Sequence, residues 1–188
     1  MDYSKPAPSS GKLLLSEPSL RDFYFSRSVV LLIEHTLKEG TVGLILNKPI
    51  NLLMKEVVKE FPTSDFPLFL GGPVHPDRLF YLHTLGERVT GSIEVIKGLY
   101  WGGEIDKLMN LIDLKMVTPK EVRFFIGYSG WEPKQLDREM KEESWIVTQA
   151  TLKTIMAGKP EKLWSKMIKE MGYDYAIWSN FPPDPVLN

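Results

Sequence analysis

Gly127-Tyr128-Ser129-Gly130-Trp131 comes nearest to a catalytic signature in this chain of 188 residues. A serine between glycines, after an apolar run and before a polar stretch, is the setting of a nucleophile elbow for acyl transfer. The elbow needs Gly-x-Ser-x-Gly, because its last small residue lets strand and helix approach closely. Trp131 stands at that position. The pattern fails there, and no catalytic residue is assigned. A strand–glycine–helix junction can also hold an anion on its backbone amides. Glu132, Asp137 and Glu139 follow at once, and they would repel a phosphate while complementing the helix dipole themselves. The plainer reading is a tight turn in which Trp131 anchors the next helix on the core, with a shallow aromatic pocket as the alternative.

The histidines are His35, His75 and His83. His35 shares a strand face with Val29, Leu31 and Ile33, and His83 shares one with Leu79 and Tyr81. Two strand histidines with a carboxylate such as Glu34 or Asp22 would suit an acid–base pair or a metal site. No His-x-His or His-x-x-x-His spacing supports a metal, and the chain has no cysteine, so no metal is expected. A hydrogen-bonded structural histidine is the simpler reading. Gly71-Gly72-Pro73-Val74 lets a backbone bend sharply or another group come close. No Lys-Ser/Thr follows it, and Gly-x-Gly-x-x-Gly occurs nowhere, so no nucleotide loop or cofactor is expected. Gly102-Gly103 has the same limits. Asn47-Lys48-Pro49 reads as a turn at a strand end, with Lys48 free to project into a site. Arg21-Asp22 and Arg27 surround Phe23-Tyr24-Phe25, a loop that packs an aromatic cluster.

Strands must position most of these residues. Apolar runs at Lys12–Leu15, Val29–His35, Val42–Asn47, Pro67–Leu70, Arg78–Thr84, Ile93–Ile96, Val122–Tyr128 and Trp145–Gln149 carry consecutive rather than alternating hydrophobics. That pattern places them between two packed layers. Lys38-Glu39-Gly40 suits a hairpin joining Val29–His35 to Val42–Asn47. Helical stripes fall at Leu52–Phe61 with Asn51 as cap, at Glu104–Met116, and near Glu161–Met171 after Pro160. A fourth, Pro133–Glu143, is mostly charged, with Leu136 and Met140 inward. Strands and helices mix irregularly, so the residues predict an α+β domain.

Composition narrows the function classes. Lys and Arg number 23 and Asp and Glu 24, a net charge of -1. The two halves of the chain hold 10 basic with 11 acidic residues and 13 with 13. Direct grip on a nucleic-acid backbone usually shows a basic excess and is not expected. Without cysteine there is no disulfide, thiol nucleophile or iron–sulfur cluster, which suits a cytoplasmic protein. The longest apolar run, Val29–Ile33, is far short of a membrane span, so no membrane association is expected. Residues 1–10 read as a disordered tail and residues 181–188, rich in proline, as an extended strap. One domain over 11–180 lies between them.

The ordered motifs resemble one family. Gly11-Lys-Leu-Leu-Leu15, Pro18, Leu20-Arg-Asp22, Phe25-Ser-Arg-Ser-Val29, Glu34-His35, Gly43-Leu-Ile-Leu-Asn47, Pro49, Gly71-Gly-Pro-Val74, Leu82-His83 and Gly127-Tyr-Ser-Gly-Trp131 with Gln135-Leu136 are similar to the YqgE/AlgH family of bacterial proteins, from about Gly11 to Gly172. The resemblance implies a strongly bent, mixed or antiparallel sheet forming a partial barrel, with three to four flanking helices. One member is linked to transcriptional control of exopolysaccharide production, and no catalytic residues carry over. The chain departs from the family at Glu132 and Lys134, where glycines are common, and at Ser129, where alanine is frequent.

The matching positions His35, Asn47, Gly71, Gly72, Pro73, His83, Gly127, Gly130 and Trp131 are the candidate pocket or interaction surface. The expected function is a non-catalytic binding or regulatory module that acts on transcription indirectly, through a protein or small-molecule partner. The alternatives are a DNA-binding regulator and an enzyme using His35 or His83 with a carboxylate.

Overall fold

The structure, a computed structural model, describes residues 6–156, 158–172, 175 and 178. The expected strap, 181–188, and residues 1–5 of the expected tail lie outside the described residues. At the end of that tail the Ser10 hydroxyl donates to the Ile33 carbonyl at 2.6 Å, and the Gly11 amide, first of the domain, donates to Leu32 at 2.9 Å.

Among the described residues ten strands form the sheet: β1 (Lys12–Ser16), β2 (Val29–Thr36), β3 (Gly40–Ile45), β4 (Pro49–Leu53), β5 (Pro67–Leu70), β6 (Val74–His83), β7 (Ile93–Ile96), β8 (Leu99–Trp101), β9 (Val122–Trp131) and β10 (Trp145–Gln149). Their order is β10-β1-β2-β3-β9-β6-β8-β7, with β4 on β5 and β5 on β9. All pairs are antiparallel except β5 with β9. The sheet does not close, which makes the architecture an open, mixed α+β fold of the partial-barrel kind. Register shifts at Leu32/Glu34, Val74/Leu79 and Glu94/Ile96 mark the places where such a sheet curls. The hairpin β2–β3 forms as its residues predict, with Gly40 at φ +96.

The helices are α1 (Met54–Val57), α2 (Ile105–Asp113), α3 (Gln135–Lys141), α4 (Leu152–Ile155) and α5 (Leu163–Glu170). The stripe read as a helix over Leu52–Phe61 shrinks to the single turn α1. Sheet pairing claims Pro49 and Leu53, opposite Phe69 and Pro67, and Val58 is already extended at φ -109. The cap is therefore Leu53, not Asn51. Helix α4 was not foreseen; its Thr151 hydroxyl accepts the Thr154 amide at 3.1 Å.

Consecutive apolar residues serve two faces, as the strand runs imply. On β1, Leu13 and Leu15 pack with Leu31, Leu44, Phe125 and the α5 residues Leu163, Trp164, Met167 and Ile168, whereas Leu14 packs with Val30, Ile45, Trp131, Trp145 and Leu136 of α3. On β9, Phe125 joins the first of these clusters, while Phe124 joins a third with Met54, Phe66, Leu108 and Ile112. Among the described residues no helix is long and apolar enough to cross a membrane.

Candidate functional site

The glycine motifs meet at the centre of the sheet. Strand β9 pairs through Phe124–Ile126 with β5 and through Ser129–Trp131 with β3, both along one edge, and Gly127 stands between the two stretches at φ +66. Gly71-Gly72 leaves β5 across that point. A Cβ on Gly71 would lie 2.1 Å from the Gly127 carbonyl oxygen, and one on Gly72 2.3 Å from the Tyr128 carbonyl carbon. Only glycine lets these backbones touch. The Gly71 amide donates to Ile126 at 2.8 Å, and its carbonyl accepts from Ile45 at 2.9 Å and from the Ser129 hydroxyl at 3.0 Å. Ser129 is fully buried. The five residues expected to form a turn are the continuous end of β9, because pairing with Thr41–Gly43 carries the strand through to Trp131. Trp131 does anchor the helix, as expected: its indole donates to Glu139 of α3 at 2.8 Å.

The candidate residues divide into a continuous track and one outlier. Gly130 packs its bare backbone against Val74 and Tyr128. Thr41 stands opposite both Trp131 and His35, and His35 shares a 2.7 Å hydrogen bond with the Thr41 hydroxyl. Asn47 is buried beyond Ile45. Its carbonyl accepts the Val29 amide at 2.7 Å and its amide donates to the Arg27 carbonyl at 2.9 Å. Pro73 is exposed, as is His75, whose ring lies 5.9 Å from Tyr128.

His83 is the outlier. It pairs with Val122, at the opposite end of β9 from Trp131 and hence from His35. The strand rises ~3.3 Å per residue, so the two histidines are roughly 25–30 Å apart along it. That is far beyond the ~3 Å of a shared proton. His83 is fully buried; its Nε2 donates to the Gly102 carbonyl at 3.1 Å and its Nδ1 accepts the Leu85 amide at 3.2 Å. This pattern is that of one neutral tautomer. Desolvation pushes the imidazole below its ordinary pKa, against a smaller opposing effect of the Gly102 bond. Beside it the buried Tyr81 phenol, pushed by desolvation up to about 12, donates to Gly103 at 2.6 Å. Tyr81 and His83 thus hold the Gly102-Gly103 loop.

Two polar nodes escaped the sequence reading. Arg123, within the apolar run of β9, is 7 % exposed, donates to the carbonyls of Ile155 at 2.7 Å and Leu46 at 3.3 Å, and lies over the Phe69 ring. Desolvation pulls its guanidinium down to about 10, still protonated at neutral pH. Glu139 accepts the indoles of both Trp131 and Trp145 on one oxygen and the Gln135 amide on the other. Only the spacing of Gln135 and Glu139 on one helix face hinted at it. Lys48 also has a definite place: its ammonium reaches the Phe23 carbonyl at 3.2 Å, and desolvation lowers its pKa, partly offset by Asp22.

With this geometry in hand, the relatives are informative. The model of the AlgH-like family matches residues 13–176. The chain belongs to that family. A UPF0301 protein of Bacteroides thetaiotaomicron is 44% identical over 182 residues, covering 96% of this chain and 92% of the relative. Another, from Chlorobium limicola, is 39% identical over 187 residues, covering 100% and 98%. Among solved structures, the AlgH protein from Pseudomonas aeruginosa superposes with a TM-score of 0.73 at 25% identity, over 97% of this chain and 98% of that one. A Corynebacterium diphtheriae protein gives 0.75 at 23% identity, over 94% of each chain. Both solved structures share the fold of this chain.

Proposed function

We propose that this AlgH-like protein is a non-catalytic binding or regulatory module of the bacterial cytoplasm. It acts on transcription indirectly, through a protein or small-ligand partner. One observation carries the reading: the polar groups of the candidate residues are engaged within the fold, with main chain or, for His35 and Trp131, with the side chains of Thr41 and Glu139. Both nitrogens of His83 and both amide atoms of Asn47 are engaged with main chain, and the buried Ser129 hydroxyl is donated to Gly71. Groups so engaged position strands; a reacting substrate would have to displace those bonds. The partner meets the exposed end of the track, at Pro73 and His75 beside Tyr128. The balanced charge, -1 overall, supports an indirect action rather than direct hold on a phosphate backbone.

The test is a gel shift with promoter DNA at physiological salt, run beside a thermal-shift screen of nucleotides, metals and metabolites. No specific shift on DNA is expected. A true ligand at 100 times its Kd raises stability by about 2.7 kcal/mol, and substituting Pro73 and His75 with serine removes that rise without lowering the melting temperature of the free protein. Tight, specific DNA binding by the pure protein refutes the indirect route. Turnover of a screened metabolite that is lost in His35→Ala or His83→Asn revives the enzyme reading.

A further inference from the structure

An open groove of about 740 Å³ runs along α5, away from the glycine track, and Lys159, Lys162, Lys166 and Lys169 line it with Ser165 and Glu170. We propose that this groove takes an extended acidic segment of a partner protein. The face is fixed. Leu163 is buried where it meets the groove lining; on the opposite side of the helix Trp164, Met167 and Ile168 are buried, and the Trp164 indole donates to the Ser16 carbonyl at 2.9 Å. Helix α5 cannot roll to scatter its lysines without exposing that stripe. All four lysines are exposed. The carboxylate in the lining, Glu170, stands 3.8 Å from Lys166, so the groove keeps a cationic surplus in a chain of net charge -1.

Spacing selects the shape of the anion. Lys159 lies before the 3-10 turn Pro160–Lys162, and Lys166 and Lys169 are on α5. At ~2.0 Å per residue in the turn and ~1.5 Å in the helix, the row is about 16 Å long with neighbours roughly 5–6 Å apart. One phosphate would span a single gap. An extended peptide with a carboxylate at every second residue repeats about every 6.7 Å, and flexible lysine stems absorb the difference. A single-stranded nucleic acid also carries a linear row of charge. Its binding sites combine a cationic groove with stacking aromatics, and among the described residues no aromatic side chain lines this groove.

The inference rests on the reading of the protein as a binding module and deepens it. Fluorescence anisotropy with a labelled peptide alternating glutamate and serine tests it. The same peptide with lysine for glutamate and a single-stranded oligonucleotide of equal charge run alongside. The acidic peptide is expected to bind, to weaken as salt rises from about 50 to about 200 mM, and to lose at least about tenfold in affinity against K162E/K166E. The lysine peptide is expected to prefer that variant over the wild type. Melting temperature checks that the exposed variant is folded; if it is not, K162Q/K166Q takes its place. No binding of the acidic peptide, equal affinity for the variant, or tighter binding of the oligonucleotide overturns the groove assignment alone. Specific promoter binding that K162E/K166E leaves intact overturns the module reading instead.

Discussion

Replacing Gly71 by alanine tests the backbone crossing more directly than any other change. The new Cβ would sit 2.1 Å from the Gly127 carbonyl oxygen, against 3.4 Å for ordinary contact. One strand must therefore retreat by roughly 1.3 Å, more than a third of an ordinary contact distance. The obstacle is backbone on both sides, so no side chain can rotate away. Gly71 holds hydrogen bonds to Ile126, Ile45 and the Ser129 hydroxyl, and a shift of that size breaks them or stretches them out of range. At ~1 kcal/mol each, with about 1–3 kcal/mol for overpacking, the loss is about 4–6 kcal/mol. Total stabilities run to only about 5–15 kcal/mol. For a chain of this length, with Tm moving ~2–4 °C per kcal/mol, the melting temperature should fall by roughly 10–20 °C. Circular dichroism melts of Gly71→Ala and Gly158→Ala side by side give the answer, since among the described residues nothing lies within 4 Å of a Cβ on Gly158. If the two variants melt within about 3 °C of each other, the crossing is not the constraint described here.

Four further outcomes follow from named contacts. Asn47→Ala leaves the Val29 amide and the Arg27 carbonyl without their shared partner, and should cost ~2–4 kcal/mol in urea unfolding at constant m. Glu139→Ala strands two indole N–H groups, and should cost ~2–4 kcal/mol with loss of near-ultraviolet tryptophan ellipticity. Ser28 is fully buried with a hydroxyl that has no hydrogen-bond partner among the described residues. Ser28→Ala should therefore be neutral or stabilising by up to ~1 kcal/mol, read as an unchanged or raised melting temperature. The folded imidazole of His83 resists a proton that the unfolded chain takes up near 6.5. Unfolded protein then binds more protons, so this part of the stability is intact above that pH and declines as pH falls through it towards the lower folded value. The urea midpoint should drop on acidification, and more steeply in the wild type than in His83→Gln.

Most of the sheet could be read from its apolar runs, because β1, β2, β3, β5 and β9 are apolar on both faces and therefore consecutive in sequence. β4 and β8 could not. Pro49–Leu53 has the spacing of a helix stripe, and only its pairing with β5, invisible to periodicity, makes it a strand. Leu99–Trp101 is three residues long, too short for any period. Gly71-Gly72 reads as a point of close approach, but what approaches is β9, some fifty residues on in the chain. Arg123 escaped because the residue that satisfies it most closely is Ile155, and a carbonyl leaves no mark in a sequence. Trp131 reads as an anchor by itself, whereas in the fold Glu139 joins it to Trp145.

The place of β9 has a bearing on how the protein is made. Strands β3, β5 and β6 all pair with a segment, Val122–Trp131, that leaves the ribosome after them. At about 5–20 residues per second, the 51 residues between Leu70 and Val122 keep β5 without its parallel neighbour for roughly 3–10 seconds. During that interval the nascent chain presents Leu44, Leu68 and Phe69, later buried, beside strand edges with nothing to bond. Such a chain is a natural client for a holding chaperone. The strand that β3, β5 and β6 share thus joins them late, with β10 and α5 still to follow.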